Sequence, residues 1–577
     1  MTRGGRLLAV VVVIGLAAGT FFFVMRDDEP AEDPGTTASS PPENKGSNEP
    51  EPKRHGYLEA ACEMPTEWAK YIYRGWNPGK TRDYDIAIVP TPPNYMGTFI
   101  NTSHSGPYDF LQEIPLILYG PGFIKPSGRV TLDREVTIAD IAPTSAELIG
   151  YDFPKRKSAP LTEVLEETPN KPKLIVTAVI DGGGWNVLEE HPDTWPNMAS
   201  MIEEGANIEG TVTGSSPSIT PAVHTNIGTG SFPRQHGVTA IAVRNDEGNV
   251  IGSFTPIDSQ EGVTITDPTL NLKQQTLADM YDLSTGNEAK IALVAPGNYQ
   301  LGMIGFGLGL EGADADIVTS YAKTTNVWGS NPEFYYTPTY VNDVEGPEED
   351  LKAADIADGE GDGQWRGHDF PPNIVATPAL APWQNRIIQA LIENEDFGDD
   401  EITDMLAVNY KAPDSLGHIY NMISPEEGDV LRSVDEAIGE MVTYLDAEIG
   451  EGEWVMMITA DHGQTPLEAG GWPISRSEIH LDIDRAFDID PEEGDVSLTE
   501  QTSATSFFMR RAEMKAQGIT PEQVASFLTN YRIGDNIAEG TDVPEGYEDR
   551  LDEKIFDGVV PGRRIDELAE CTGVTDE

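Results

Sequence analysis

Four short apolar runs each lead straight into residues that bind metals: residues 175–180 into Asp181, 99–102 into His104, 405–410 into Asp414 and His418, and 454–459 into Asp461 and His462. Bounded apolar runs of this length read as buried strands. In an open α/β sheet, ligands gather in the crevice beyond the carboxyl ends of the strands. The pattern therefore predicts an α/β fold with a doubly wound, mostly parallel central sheet, helices on both faces, and strand ends that meet at one spot. Three Asp and three His at that spot suit two zinc-like ions.

From about residue 56 onward, strand-length apolar runs alternate with amphipathic segments of helix length, as a covered parallel sheet requires. Helices are expected at 137–148, 194–204, 274–281, 382–394, 425–445 and 521–531, and the Asp- and Gly-rich stretch 341–372 reads as a surface insertion. Within residues 218–230, Thr220 reads as an N-cap and Pro221 as the first helical residue. Its hydroxyl would then face the positive end of a helix dipole, where a phosphate is favoured. Asp414 and His418 have helical i, i+4 spacing, but Pro413 and Gly417 predict a loop.

Lys and Arg number 38 against 97 Asp and Glu, a formal charge of −59. Such a field repels polyanions, so nucleic acid is not expected as a partner. Residues 7–25 carry no charge, follow Arg3 and Arg6, and precede Asp27, Asp28 and Glu29. That run is near the length needed to span a bilayer, which favours a retained single-pass anchor over a cleaved signal and places the rest outside the cytoplasm. Residues 26–55, rich in Pro, Glu, Ser and Gly, read as a flexible linker. An extracytoplasmic setting permits a disulfide between Cys62 and Cys571, the only cysteines; the alternative is two unrelated thiols.

The motifs as a set resemble the alkaline phosphatase superfamily, and within it the type I phosphodiesterase and nucleotide pyrophosphatase branch. They are Val179-Ile-Asp-Gly182, Pro217-Ser-Ile-Thr-Pro-Ala-Val-His-Thr-Asn-Ile-Gly-Thr-Gly230 with Pro233-Arg-Gln-His-Gly237, Pro413-Asp-Ser-Leu-Gly-His418 and Thr459-Ala-Asp-His-Gly463. The resemblance implies that Thr220 is a covalent nucleophile, that Asp181, Thr220, Asp461 and His462 hold one zinc, and that Asp414, His418 and a third histidine hold the other. In the family that histidine follows the Asp-His-Gly motif, before an apolar strand, a Gly-Pro-Gly turn and an Asp-Ile-Ala-Pro-Thr helix. Here the block stands in front, with His104, Gly120-Pro-Gly122 and Ala139-Asp-Ile-Ala-Pro-Thr144. The chain thus resembles a circular permutant: residues 56–577 form one hydrolase domain in which 84–165 are displaced from the usual carboxyl-terminal position, 174–577 are the main body, and 166–173 are the join. A Cys62–Cys571 bridge would staple the new ends.

Two positions depart from the family pattern. The Asn that contacts the phosphoryl group in the diesterase branch falls on Ile241, leaving Asn245 as a nearby substitute, and Pro221 has no backbone N–H to offer. The expected activity is metal-dependent hydrolysis of a phosphodiester or nucleotide pyrophosphate through a phospho-Thr220 intermediate on two divalent ions. A phosphomonoesterase is the alternative. Two other classes stay open, a non-catalytic metal-bearing surface protein and an anchored phosphoryl-group transferase. A sulfatase is disfavoured because neither cysteine lies near Thr220. His480 is the rival sixth ligand if the chain is not permuted. His224 is expected to be packed or hydrogen-bonded within its helix, and His55, His191, His236 and His368 to be surface or structural.

Overall fold

The computed structural model describes residues 56–575 apart from 80–82, 99–101, 246–247, 255–270, 323–325, 360, 468–469 and 492. The expected anchor at 7–25 and linker at 26–55 lie outside the described residues. Among the described residues no helix is long and apolar enough to cross a membrane.

Alternation along the apolar runs is what builds the core. In the strand Leu174–Ile180, Leu174, Val176, Ala178 and Ile180 point to one face, and Ile175 and Val179 to the other. The first face is covered by the helices Pro196–Glu204, Leu380–Asn394 and Pro425–Leu445. The second is covered by Ile141–Ile149, Thr220–Thr229 and Leu277–Thr285. Because both faces are buried, the strand is apolar at every position but Thr177 rather than alternating with polar residues.

Nine strands form this sheet, in the order Val327–Gly329, Ile317–Ala322, Ile291–Ala295, Asp404–Tyr410, Leu174–Ile180, Trp454–Thr459, Leu116–Tyr119, Ala206–Glu209 and Gly128–Thr131. The five strands from Ile317–Ala322 to Trp454–Thr459 are parallel, so their carboxyl ends share one edge. The sheet is mostly parallel as expected, and mixed only because two of its nine strands run the other way. Leu116–Tyr119 runs antiparallel to both its neighbours, and Val327–Gly329 runs antiparallel to Ile317–Ala322. The direction of Leu116–Tyr119 has a simple cause. The chain reaches it after delivering His104 at the carboxyl edge, so the next strand leads away from that edge.

A second sheet is antiparallel and joins the two ends of the described chain. Its order is Thr499–Ser503, Ser506–Met509, Ile86–Pro90 and Phe556–Pro561. Beside it, Ala69 and Ile72 of the helix Thr66–Gly75 pack with Ile565 and Leu568 of Ile565–Thr572. A disulfide links Cys62 to Cys571, with Cα atoms 5.7 Å apart.

Several helices start where side-chain chemistry starts them. The Ser424 hydroxyl accepts from Glu427 N–H to begin Pro425–Leu445, and Thr276 caps Leu277–Thr285 through Asp279 N–H. Thr137 and Asp140 form a capping box at the turn that leads into Ile141–Ile149. The helix expected at 521–531 ends earlier, at Leu528. In the insertion expected at 341–372, the helix Glu348–Ala357 buries no residue, while Trp365 is fully buried and pins the segment.

Three local expectations change. Thr220 is the first helical residue rather than the cap, with extended Ile219 before it and Pro221 second. Asp414 and His418 lie on the helix Ala412–Tyr420, not in a loop. Pro413 is tolerated there because first-turn N–H groups have no helical partner, and Gly417 leaves room for Gln464, whose Oε1 would lie 1.7 Å from a Cβ at 417. In the segment before His104, residues 99–101 lie outside the described residues and Thr102 makes a single bridge with Gly97.

Candidate metal centre and nucleophile

Three adjacent parallel strands end together, and each hands its chain to a polar residue at once. Leu174–Ile180 is followed by Asp181 and Asp404–Tyr410 by Lys411, and a single residue, Ala460, separates Trp454–Thr459 from Asp461. Gly182 adopts φ +72°, and a Cβ there would press within 3.1 Å of Asp414, so glycine lets the chain turn beneath the Asp414 helix.

Two groups of side chains result. His104, Asp414 and His418 bring one ligand atom each within 4.8 Å of the others, and so do Asp181, Asp461 and His462. The groups are contiguous: His462 Nε2 is 3.7 Å from Asp181 Oδ1 and 3.9 Å from Asp414 Oδ1, and the His104 and His462 rings stack at 3.6 Å. His104, drawn from the front of the chain, has Nε2 3.1 Å from Asp414 Oδ1, and His418 Nε2 is 3.5 Å from the same oxygen.

The imidazoles are held in one tautomer. Nδ1 of His104 faces Ser218 O at 3.2 Å, Nδ1 of His418 faces Thr102 O at 3.2 Å, and Nδ1 of His462 faces Gly463 O at 2.9 Å. A carbonyl can only accept, so the proton belongs on Nδ1 and each Nε2 presents its lone pair inward, as ligating histidines do. Asp461 is oriented likewise, its Oδ1 accepting from Gly182 N–H at 3.0 Å. Among the described residues, Asp461 Oδ2 and His462 Nε2 are buried without a hydrogen-bond partner. Orphaned buried acceptors of this kind carry a desolvation cost that a bound cation removes, so the donor set fits divalent ions.

Thr220 is 4 % exposed and stands at the start of a helix buried along all ten residues. Thr225 and Thr229 hydroxyls donate to the carbonyls four residues back, and Gly230 closes the helix at φ +61°. His224 bonds within this helix as expected, Nδ1 to Thr220 O at 2.8 Å, while its Nε2 meets Asn409 Nδ2 at 2.9 Å. Burial lowers its pKa to about 4, so it is neutral.

Two further members of this site, Lys411 and Asn409, belong to none of the motifs above. Lys411 Nζ lies 2.8 Å from Asp181 Oδ1, 2.7 Å from Asp414 Oδ2 and 3.1 Å from Thr220 Oγ1. Burial opposes its charge, but Asp181, Asp414 and Asp461 outweigh that and raise its pKa. Burial likewise pushes Asp414 up, yet Lys411 and His418 hold it well below the usual carboxylate range. Asn409 donates to Asp181 Oδ2 at 2.9 Å and is held in turn by Gln300. Asn409 is the penultimate residue of the strand Asp404–Tyr410 and Lys411 follows it directly, so their place at the carboxyl end of a central strand was the available signal.

Other expected residues lie apart from this cluster. Asn245 serves the turn between the short strands Ala242–Arg244 and Val250–Gly252, its Oδ1 accepting from Asn249 N–H at 2.9 Å, and shares no hydrogen bond with any cage residue. His480 Nε2 meets Thr502 Oγ1 at 2.6 Å and its ring lies against Phe507. His236 is fully buried, and His191 and His368 pair with Met422 O and Glu426. Beside His104 opens a cavity of about 220 Å³ whose walls include Pro92, Pro93, Tyr95, Tyr108 and Phe110.

The chain is 26 % identical over 351 residues to a protein named calcium-transporting ATPase from Myroides odoratus, covering 52 % of this chain and 61 % of that one. It is 24 % identical over 346 residues to alkaline phosphatase PafA of Elizabethkingia meningoseptica, 51 % of this chain and 60 % of the relative. It is also 24 % identical over 351 residues to alkaline phosphatase PhoV of Synechococcus elongatus, 54 % and 62 %. The chain therefore spans about three-fifths of the length of these curated relatives. The crystal structure of wild-type PafA superposes with a TM-score of 0.48 at 17 % identity, covering 69 % of this chain and 85 % of that one. The type I phosphodiesterase / nucleotide pyrophosphatase pattern matches residues 175–482, over half of the 577. On that match the chain belongs to the type I phosphodiesterase / nucleotide pyrophosphatase family, within the alkaline phosphatase superfamily.

Proposed function

We propose that the protein is a metal-dependent phosphoester hydrolase in which Thr220 is the nucleophile. The observation that carries this reading is the convergence of two Asp/His cages and one buried hydroxyl on a single point. Two divalent cations, with zinc suited to the His and Asp donors, would supply Lewis-acid stabilisation of the attacking and leaving oxygens. His104, Asp414 and His418 would hold one, and Asp181, Asp461, His462 and the Thr220 oxygen the other. Thr220 Oγ attacks phosphorus in line, the leaving alkoxide departs, and water then cleaves the phospho-threonine ester. Asn409 and Lys411 keep Asp181 oriented, and Lys411, with its ammonium at the hydroxyl, also offers a donor to a phosphoryl oxygen.

Family membership favours a diester or nucleotide pyrophosphate substrate. A second reading, a phosphomonoesterase, is favoured by the Lys411 ammonium, which suits the extra charge of a monoester, and by the two relatives named alkaline phosphatases. The order of the parts supports circular permutation: His104 precedes the family match at 175–482, and the exposed connection 166–173 leads into the strand before Asp181. Residues 56–577 then form one hydrolase domain. The Cys62–Cys571 disulfide supports an oxidising, extracytoplasmic location, reached through residues 7–25 as anchor or signal.

The test is turnover of p-nitrophenyl phosphate and bis-p-nitrophenyl phosphate by the zinc-loaded protein, with and without chelator, beside Thr220→Ala. Loss of at least ~10³-fold in the variant and in chelator is expected. Equal turnover by wild type and Thr220→Ala would remove the nucleophile.

A further inference from the structure

Three carboxylates converge at the opposite edge of the main sheet, away from Thr220. Asp282 occupies the last turn of the helix Leu277–Thr285, and Asp314 and Asp316 lie in the segment that enters the strand Ile317–Ala322. One oxygen from each lies within 4.8 Å of the others. Ile317–Ala322 is parallel to Ile291–Ala295 and so, through it, to Asp404–Tyr410. Its start therefore marks the amino edge, whereas Asp181, Lys411 and Asp461 leave from the carboxyl edge.

Among the described residues no basic side chain offsets the charge of Asp282 and Asp316. The groups acting on Asp282 and Asp316 are all carboxylates, Asp279 included, and Asp279 already accepts from Thr276 and Phe306 N–H. Asp282 is 3 % exposed and, among the described residues, its Oδ1 is buried with no hydrogen-bond partner. It also sits at the negative end of its helix, whose last turn has no basic residue, where a carboxylate is disfavoured. Close by, Asn287 donates Nδ2 to Gly312 O at 3.0 Å, and its Oδ1 is a second buried acceptor without a donor. A partly buried site, closed on the Asp282 side and open at Asp314, that offers only oxygen acceptors, with no Cys or His, matches a hard cation that takes six to eight oxygens.

We propose that Asp282, Asp314 and Asp316 bind one divalent cation of the calcium class, separate from the Thr220 cages, which ties the end of the helix Leu277–Thr285 to the edge strand Ile317–Ala322. The competing account is a proton shared between carboxyls, since burial and Asp314 raise Asp282 to about 7. That account predicts a gain in stability on acidification and no response to calcium.

The experiment is equilibrium dialysis with ⁴⁵Ca²⁺ and differential scanning calorimetry of the zinc-loaded protein at constant ionic strength. Wild type is expected to take up one calcium, with a saturable rise in Tm of about 2–3 °C at a hundred times the dissociation constant. Asp314→Asn, at an exposed position that tolerates substitution, should weaken binding at least tenfold and leave phosphoester turnover unchanged. Asp316→Asn should do the same, and His104→Ala should keep the calcium response. The proposal is overturned by an absent or non-saturable rise, by an equal rise in both Asp variants, or by loss of the response in His104→Ala, which would place the calcium in the catalytic cages.

Discussion

The Lys411 ammonium stands 3.1 Å from the Thr220 hydroxyl oxygen while bonding one carboxylate from each cage, Asp181 at 2.8 Å and Asp414 at 2.7 Å. A fixed cation at that point separates two carboxylates that would otherwise repel each other and offers a donor where negative charge develops during phosphoryl transfer. Lys411→Met keeps much of the stem and removes the charge. Its kcat/KM should fall by about 10²-fold or more, the usual cost of one transition-state donor. Steady-state kinetics on zinc-loaded enzyme decide it, and undiminished turnover would reduce Lys411 to a structural partner of the cages.

His104 and His480 were rivals for the sixth ligand, and their surroundings differ. His104 Nε2 is 3.1 Å from Asp414 Oδ1, whereas His480 bonds Thr502. His104→Ala should lower the bound metal by about one equivalent per chain and cut activity at least ~10²-fold, while His480→Ala should leave both close to wild type. Metal analysis by mass spectrometry after dialysis measures the stoichiometry. The reverse pattern would restore the unpermuted order of ligands.

Much of this arrangement was legible in the chain because the chemistry coincides with the punctuation of strands. Runs such as Leu174–Ile180 are apolar on both faces, so they had to be central strands, and the first polar residue after each had to emerge at the crevice. Lys411 was overlooked because a lysine after a strand normally snorkels to solvent, and only tertiary placement of Asp181 and Asp414 buries it. The Asp414 helix was misjudged because Pro413 and Gly417 act locally as breakers. First-turn geometry excuses the proline, and the close approach of Gln464 requires the glycine. The antiparallel setting of Leu116–Tyr119 has no local signature, since strand direction follows from the path of the chain rather than from composition.

The helix that carries Thr220 depends on one small residue. A Cβ at Gly228 would lie 2.2 Å from Gly302 O and 2.6 Å from Met303 O, both backbone atoms that cannot rotate away. Gly228→Ala should destabilise the fold by about 1–3 kcal/mol and lower kcat by tilting the nucleophile. Calorimetry and kinetics on the same preparation test both, and an unshifted Tm would mean that the Gly302 turn gives way freely.

Acid should weaken the protein partly through His480. Burial, with Arg476 and Arg510 nearby, lowers its pKa to about 4. A depressed folded pKa means that the unfolded chain binds the proton more tightly, so the neutral ring stabilises above about pH 6.5 and that contribution is lost as pH falls toward 4. The loss is at most about 3 kcal/mol at 1.36 kcal/mol per unit. His480→Gln removes the titration, and its Tm should fall less steeply than that of wild type between pH 6.5 and 4. Parallel curves would exclude His480 as a contributor.

The Cys62–Cys571 bridge closes a loop of 509 residues and thereby restrains nearly the whole domain. Its neighbours share one small apolar cluster, in which Ala61 of the helix Tyr57–Ala61 and Ala69 of Thr66–Gly75 meet Leu568 of the last helix. Those contacts alone cover few side chains, so without the bond the two ends should fray first. Replacing both cysteines by alanine, or adding reductant, should cost about 2–4 kcal/mol in urea unfolding. Thr220 and its cages belong to the other sheet, so kcat measured well below the new midpoint should not change. Loss of turnover in step with reduction, before any loss of secondary structure, would instead tie the terminal sheet to the geometry around His104, which reaches the site from the chain just beyond the strand Ile86–Pro90.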